Sequence, residues 1–556
     1  MLLNLQNITK TIGIKTLYTG LDLTIQPGER VGLIGRNGIG KTTLLGIMAG
    51  TDHDYAGSVD SRRGLIIAST TQEHHGLADK PVLEYILENL PDYARLKHII
   101  DTYPLEMGDD MAKISIYSDA LTRFGEMGYY DAEADVRAEL AIFQLPPERI
   151  DGPFGHLSGG QKRFVELVKV TLSDADLALI DEPTNHMDYV AKQIFIDWLK
   201  KSKQSVVVVT HDRDVLVHVN RIVEIKAREV LSFPGNYDAY LRQNGAATAK
   251  AIDSYENAQK RLVKLEKAIR DAKARKAGWS GTADKTNPFM LLEKRLSKER
   301  DELQDTMTKP DFWIDQETLD QQQDKVVAKY DKYKARNIRL RTGGEHRARS
   351  LFAIEDISLG YKSALFEPVN LDLAVGERLQ IKGRNGLGKS TLVKALLATA
   401  AEQKIPSTVY SGSITVGLKT VIGVYEQEIA ESYLNLALGS AIRRVYDDAN
   451  IPITDQKVRQ ILADYLFDPQ NDSRLDIARL SGGQKARFQL IKMLCANPNL
   501  LVLDEPTNHL DLPSIEELER ALARYQGAIL YISHDSYFAE AVGGDLLELT
   551  PVTATL

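Results

Sequence analysis

GRNGIGKTT, residues 35–43, decides the fold, and the chain writes it again as GRNGLGKST at residues 383–391. An apolar, strand-like run precedes each copy (RVGLIG, RLQIKG) and a helical pattern follows it (TTLLGIMAG, STLVKALLA). Strand, glycine-rich turn and helix in that order form a phosphate loop: glycines let backbone N–H groups wrap the phosphates, and the helix N-terminus favours their negative charge. Gly35, Gly38 and Gly40 supply the first turn, beside Asn37 and Thr43. Gly383, Gly386 and Gly388 supply the second, beside Asn385 and Thr391. Lys41 and Lys389 are placed to reach the β- and γ-phosphates of ATP, and Thr42 and Ser390 offer a hydroxyl to Mg²⁺.

Further words recur in the same order. LSGGQ stands at 157–161 and 480–484, DEPTNHMD at 181–188 becomes DEPTNHLD at 504–511, and His211 and His534 each end a β-branched, apolar run. Ser158 to Ser481, Glu182 to Glu505 and His211 to His534 are all separated by 323 residues, so a domain has been duplicated. Asp181 and Asp504, at strand ends, complete the metal's protein contacts. Glu182 and Glu505, directly after them, suit orienting or deprotonating a water, and His211 and His534 suit a polar contact to the γ-phosphate. Gln72 and Gln427 lie in short polar stretches between phosphate loop and LSGGQ. The first repeat carries about 32 more residues in that interval, roughly Val82 to Tyr130, and their three- and four-residue apolar spacing predicts a helical hairpin suited to docking.

A chain of 556 residues exceeds one hydrophobic core. Cys495 is its only cysteine, which excludes disulfides and cysteine-based zinc sites. No apolar run approaches ~18 residues and the start has no basic, then apolar leader, so the expectation is a cytoplasmic protein without a membrane partner. A net charge of −8 argues against coating nucleic acid with the whole surface, yet residues 257–300 hold thirteen Lys or Arg against five Asp or Glu, and residues 325–349 hold nine against two. Leu262, Leu265, Ile269 and Ala272, then Phe289, Leu292, Leu296 and Leu303, space like the seam of two packed helices around the turn-rich GWSGTADKTNP. The predicted antiparallel hairpin has its tip near residues 275–290, where Arg275, Lys276 and Lys285 flank Trp279. Cations beside an aromatic suit RNA phosphates and unstacked bases.

LSGGQ after a phosphate loop resembles the signature of the ATP-binding-cassette superfamily, and DEPTNH-[ML]-D written twice resembles the ABC-F family, from end to end of the chain. The resemblance implies an α/β fold: two P-loop cassettes, residues 1–240 and 351–556, joined by a long antiparallel helical hairpin at 241–350. It implies an ATPase using ATP and Mg²⁺ whose cassettes pair within one chain, as a monomer. Ser158, Gly159, Gly160 and Gln161 would cover ATP held at Lys389, and Ser481, Gly482, Gly483 and Gln484 would cover ATP at Lys41. Gln72 and Gln427 would touch Mg²⁺ or the attacking water. Tyr361 would stack on adenine, whereas Ile12 stands in the corresponding place of the first cassette, and Met187 replaces a usual leucine. The implied partner is the ribosome, through rRNA and peptidyl-tRNA, for a housekeeping translation factor or an antibiotic-resistance factor. The motor of a membrane transporter is the rival reading. DNA-maintenance cassettes are set aside by the single cysteine and the hairpin of about 100 residues.

Overall fold

The computed structural model describes residues 1–277, 288–306 and 350–552, apart from positions 14, 72, 73, 75, 107, 109, 144, 186, 227–229, 427, 428, 466, 481 and 509. The chain divides into two compact units, Met1–Tyr237 with Arg339–Leu556, and Asp238–Ile338. The first unit contains both repeats.

In cassette 1, β1 (Leu3–Ile12) runs antiparallel between β2 (Lys15–Ile25) and β4 (Ala56–Ser61). A six-stranded sheet orders β5 (Ile67–Ser69), β6 (Leu177–Asp181), β7 (Ser205–Val209), β3 (Arg30–Gly35), β8 (Arg221–Ile225) and β9 (Val230–Pro234), parallel except for the last pair. LALID and SVVVV are buried along their whole length. Parallel strands covered on both faces need such runs instead of alternation. Helix α1 (Lys41–Met48) packs Leu44 and Met48 into the core with Leu33, Leu177 and Val207.

Helix α2 (Val82–Glu88) is followed by the extra pair α3 (Tyr93–Glu106) and α4 (Met111–Glu126), which pack on each other. Tyr93, Phe124 and Tyr129 hold its base with ring centroids 5.2–5.6 Å apart. The chain continues through α5 (Ala132–Ile142), α6 (Pro147–Ile150), α7 (Gly159–Leu172), α8 (Tyr189–Lys201) and α9 (Arg213–Leu216).

The second unit contains α10 (Tyr237–Ala277) and α11 (Pro288–Thr306). Arg261 bonds Glu299 at 2.5 Å and Lys273 faces Glu293 at 3.9 Å, so the helices run antiparallel. Leu265, Ile269 and Ala272 are buried in the seam, while Leu292 is 42% exposed. Trp279 and Lys285 of the expected tip lie outside the described residues, as do 307–349.

Cassette 2 repeats the plan. β10 (Ser350–Gly360) pairs with β11 (Val369–Ala374) and β13 (Thr408–Val416), and a parallel sheet orders β14 (Ile422–Tyr425), β15 (Leu500–Asp504), β16 (Ala528–Ile532), β12 (Arg378–Lys382) and β17 (Asp545–Glu548). Its helices are α12 (Lys389–Ala400), α13 (Glu431–Leu434), α14 (Leu438–Asp448), α15 (Asp455–Asp464), α16 (Gly482–Leu494), α17 (Leu512–Ala523) and α18 (Ser536–Val542). Only six residues separate α14 from α15, where cassette 1 inserts α3 and α4.

Candidate nucleotide sites

Parallel pairing of β3, β6 and β7 brings their C-terminal ends to one edge, which gathers Gly35, Asp181 with Glu182, and His211. Strands β12, β15 and β16 gather Gly383, Asp504 with Glu505, and His534 in the same way. Gly40 (φ 102°) and Gly388 (φ 89°) cap the helices that follow in a left-handed conformation, and a Cβ on Gly40 would lie 2.8 Å from Leu17. Only glycine fits there. Glu182 (φ 45°) and Glu505 (φ 48°) adopt the same left-handed backbone without being glycine. Such strain costs about 1–3 kcal/mol per residue, and its repetition at both sites marks a placement the fold enforces.

In cassette 1 the Lys41 ammonium donates to the Gly35 carbonyl at 2.6 Å and lies 2.9 Å from His211 Nε2. The Thr42 hydroxyl donates to Asp181 Oδ2 at 2.7 Å. Glu182 lies 3.5 Å from His211 Nε2, and its carboxylate accepts the backbone N–H of His211. Burial pushes Glu182 up to about 8, against the pull of Lys41, and holds His211 well below its usual range, so the ring is neutral. Cassette 2 repeats this: Lys389 donates to Gly383 O at 2.7 Å, Ser390 bonds Asp504, and Glu505 lies 3.3 Å from His534 Nε2. Burial lifts Glu505 to about 7 and lowers His534 to about 3.

A cleft of about 690 Å³ between the cassettes takes in most of the second site together with Asn37, Glu182 and His211 of the first. Cassette 2 lines it with Tyr361, Asn385, Gly386, Gly388, Lys389, Ser390, Thr391, Asp504, Glu505 and His534, and cassette 1 with Asn37, Glu182, Thr184, Asn185, Met187, Lys192 and His211. Asp188 caps α8 with Oδ1 (2.9 Å to Ala191 N) and with Oδ2 accepts the Asn385 N–H of the other cassette at 3.1 Å. Asp511 caps α17 and reaches the Asn37 N–H at 3.5 Å. Each carboxylate therefore ties its own helix start to the opposite phosphate loop. Lys382, just before the second loop, also stacks over Tyr189 at 4.9 Å.

Other expected residues are placed differently. Ser158 and Gln161 form a capping box at the start of α7: Gln161 Oε1 accepts the Ser158 N–H at 3.0 Å and Ser158 Oγ accepts the Gln161 N–H at 3.3 Å. Among the described residues, the cleft lining holds no LSGGQ residue. Gly159 and Gly160 begin α7, and Gly482, Gly483 and Gln484 begin α16, while Gln72, Gln427 and Ser481 lie outside the described residues. Asn7 and Asp356 break β1 and β10 at the same point with positive φ, and this register sets Ile12, 55% exposed, against Tyr361, 60% exposed. Arg275 is exposed at the end of α10, and Lys276 belongs to the same helix.

Sequence reasoning missed the contacts across the cleft. Arg213, 2% exposed in its side chain, pairs with Glu519 and, at 3.1 Å, with Asp535 of cassette 2. Lys192 binds Asp212 at 3.1 Å, Asp214 at 2.8 Å and the backbone carbonyl of His534. These residues belong to no motif, but the 323-residue offset holds their signal: cassette 2 has Ile515 where cassette 1 has Lys192.

Comparison with known proteins agrees with this architecture. Family models described as ABC transporter match residues 18–185 and 366–508, and, for a further model, 223–302. YdiF of Bacillus subtilis, named for ATP binding, is 30% identical over 99% of this chain and 80% of its own length. ABC transporter F family member 5 of Arabidopsis thaliana is 28% identical over 98% of this chain and 74% of its own. Among solved structures, the RNase-L inhibitor shares the fold with a TM-score of 0.55 at 16% identity, over 98% of this chain and 91% of that one. No helix among the described residues is long and apolar enough to cross a membrane. Tandem ATP-binding cassettes, an ABC-type extension at 223–302 and full-length likeness to ABC-F proteins together place the chain: it is an ATPase of the ABC-F family.

Proposed function

We propose that this ATPase works on the ribosome: with ATP bound it occupies the tRNA exit region, its hairpin acts on peptidyl-tRNA near the peptidyl-transferase centre, and hydrolysis releases it. The observation that carries the reading is the surface of the hairpin. Lys264, Lys267, Arg270, Lys273, Lys294 and Arg295 are all exposed on α10 and α11, in a chain whose net charge is −8. Clustered exposed cations along a pair of packed helices suit a phosphate backbone. Two solved structures that share the fold support the same direction: one is of an archaeal ribosome recycling factor with a ribosomal stalk protein, the other of ribosome-bound archaeal Pelota and ABCE1.

The proposed chemistry divides among the residues of the two sites. Lys41 and Lys389, with the amides of their loops, bind the phosphates. Thr42 with Asp181, and Ser390 with Asp504, are hard oxygen pairs that fit Mg²⁺, since a cation there would offset the burial that now lifts both aspartates. Mg²⁺ supplies charge neutralisation of the phosphates. Glu182 and Glu505 orient and deprotonate the water, and a carboxylate held near pH 7–8 is well matched to that task. Neutral His211 and His534 contact the γ-phosphate. Ser158 and Ser481, with the glycines beside them, cap the ATP of the opposite cassette when the cleft closes.

Glu182→Gln with Glu505→Gln should bind ATP without hydrolysing it and cosediment with 70S ribosomes in sucrose gradients containing ATP. Absence of a ribosome-bound fraction would sink the proposal. Inhibitory concentrations of peptidyl-transferase drugs, with and without the protein, separate resistance from a housekeeping role.

A further inference from the structure

The two cassettes do not hold each other in the same way. An ammonium has three protons to donate, and those of Lys192 are all engaged: two by Asp212 and Asp214 of its own cassette, the third by the carbonyl of His534 in the other. Asp214 in turn accepts the Ser536 backbone N–H at 3.4 Å and the Ser536 hydroxyl. The segments that follow the two site histidines are thereby tied together, with the Lys192 side chain only 7% exposed. Among the described residues, the positions equivalent to Lys192 and Asp214 make no reciprocal lysine bridge. Position 192 corresponds to Ile515 and position 214 to Tyr537, and Ile515 lines the same cleft without a charge.

We infer that Lys192 is a positioning residue for the second nucleotide site, acting from the first cassette. Its hold on the His534 carbonyl fixes the backbone whose N–H bonds Glu505 and whose ring lies 3.3 Å from that carboxylate. Cassette 1 presents this ammonium only while Asp212 and Asp214 hold it from behind. Turnover at Lys389 and Glu505 therefore depends on Lys192 of cassette 1, whereas turnover at Lys41 and Glu182 has no counterpart lysine from cassette 2, where Ile515 stands instead. Through this ammonium the coupling runs in one direction.

The test rests on the roles proposed for Glu182 and Glu505. In the full-length protein, Glu182→Gln confines hydrolysis to the second site and Glu505→Gln confines it to the first. Adding Lys192→Ile, the residue cassette 2 itself uses, should lower kcat by about 10- to 100-fold in the Glu182→Gln background, the scale of a displaced site group, with KM little changed. In the Glu505→Gln background the loss should stay within about threefold, below the scale of site displacement, and Lys192→Arg should recover most of the activity. Equal losses in both backgrounds, or no loss in either, would overturn the inference, since a merely structural interface residue does not choose between sites. If Lys192→Ile does not fold, Lys192→Ile with Asp214→Tyr removes the acid as well and is read identically. If neither carboxylate change slows hydrolysis, the proposed roles of Glu182 and Glu505 fail by themselves. Lys41→Ala and Lys389→Ala then confine turnover to one site, and Lys192→Ile is judged in those backgrounds by the same outcomes.

Discussion

Replacing Arg213 by Met keeps its apolar stem and deletes its charge. The guanidinium is enclosed by Glu519 and Asp535 and lies 5.0 Å over the Tyr537 ring. Without it, two buried carboxylates face each other, a situation that costs about 3–5 kcal/mol when one member of a buried pair is removed. Both acids belong to cassette 2 and the arginine to cassette 1, so the protein has an escape: parting the cassettes lets water reach the acids. The measured loss is capped by the free energy needed to open the cleft. Two readouts separate the cases. If the cleft holds, the cassettes' melting temperature falls, at about 2–4 °C per kcal/mol for units of this size, or about 6–20 °C. If it opens, melting stays near the parent value and energy transfer between dyes on the two cassettes drops. Arg213→Met with Glu519→Leu should restore most of either loss, because Asp535 keeps the Phe538 N–H as a partner at 3.0 Å. A single Arg213→Met protein with parental melting and parental energy transfer would refute the reasoning.

Three further outcomes follow from the sites. Tyr361→Ala should weaken ATP binding at the second site by about 5- to 150-fold, the worth of ~1–3 kcal/mol of base stacking, while Ile12→Tyr should tighten the first; fluorescent-nucleotide titration checks both, and unchanged affinities count against the β1/β10 register. Burial raises Glu182 to about 8 and Glu505 to about 7, so the folded protein retains protons that an unfolded chain releases near 4.5. The contribution of these two carboxylates to the stability of the nucleotide-free protein should therefore be lost as pH rises from about 4.5 through 8, while neutral His211 and His534 contribute in the opposite direction below 6.5; Glu182→Gln with Glu505→Gln should remove the carboxylate component in urea titrations, and an unaltered pH dependence contradicts the assignment. Glu166 runs the other way: burial opposes its charge, but bonds from His74, Lys169 and Tyr85 win and hold it at about 2. Its contribution should be complete above pH 4.5 and lost as pH falls toward 2, and Glu166→Ala should cost about 3–5 kcal/mol, measured by thermal or urea unfolding near neutral pH.

What could be read in the sequence follows a physical division. Gly40, Lys41, Thr42, Asp181 and Glu182 were legible because phosphate binding fixes their order within a strand-loop-helix unit, and duplication repeated the message at Gly388 to Glu505. The hairpin α3–α4 was legible because its apolar spacing is local. Ser158 shows the limit of motif reading: the structure gives its hydroxyl to the cap of α7, and only the LSGGQ spelling suggests a second partner. Lys192, Arg213 and Glu519 left no local trace, since each meets its partner in the other cassette more than 300 residues away, and an Arg–Glu pair at that distance has no spacing to betray it.

Those unannounced charges also decide which cassettes can face each other. Under the 323-residue offset, Glu519 corresponds to Ile196 and Arg213 to Ser536. Two first cassettes meeting through this face would bury Arg213 against Ile196 with one acid missing, and two second cassettes would bury Glu519 opposite Ser536 with no cation at all. Each arrangement strands a charge at a cost of several kcal/mol, and only the pairing of unlike cassettes satisfies both. The hairpin raises the effective concentration of the correct partner, but it need not select it. Selection resides in the interface, and because Lys192 belongs to that interface, the same asymmetry that excludes wrong pairings also makes the two ATP sites unequal.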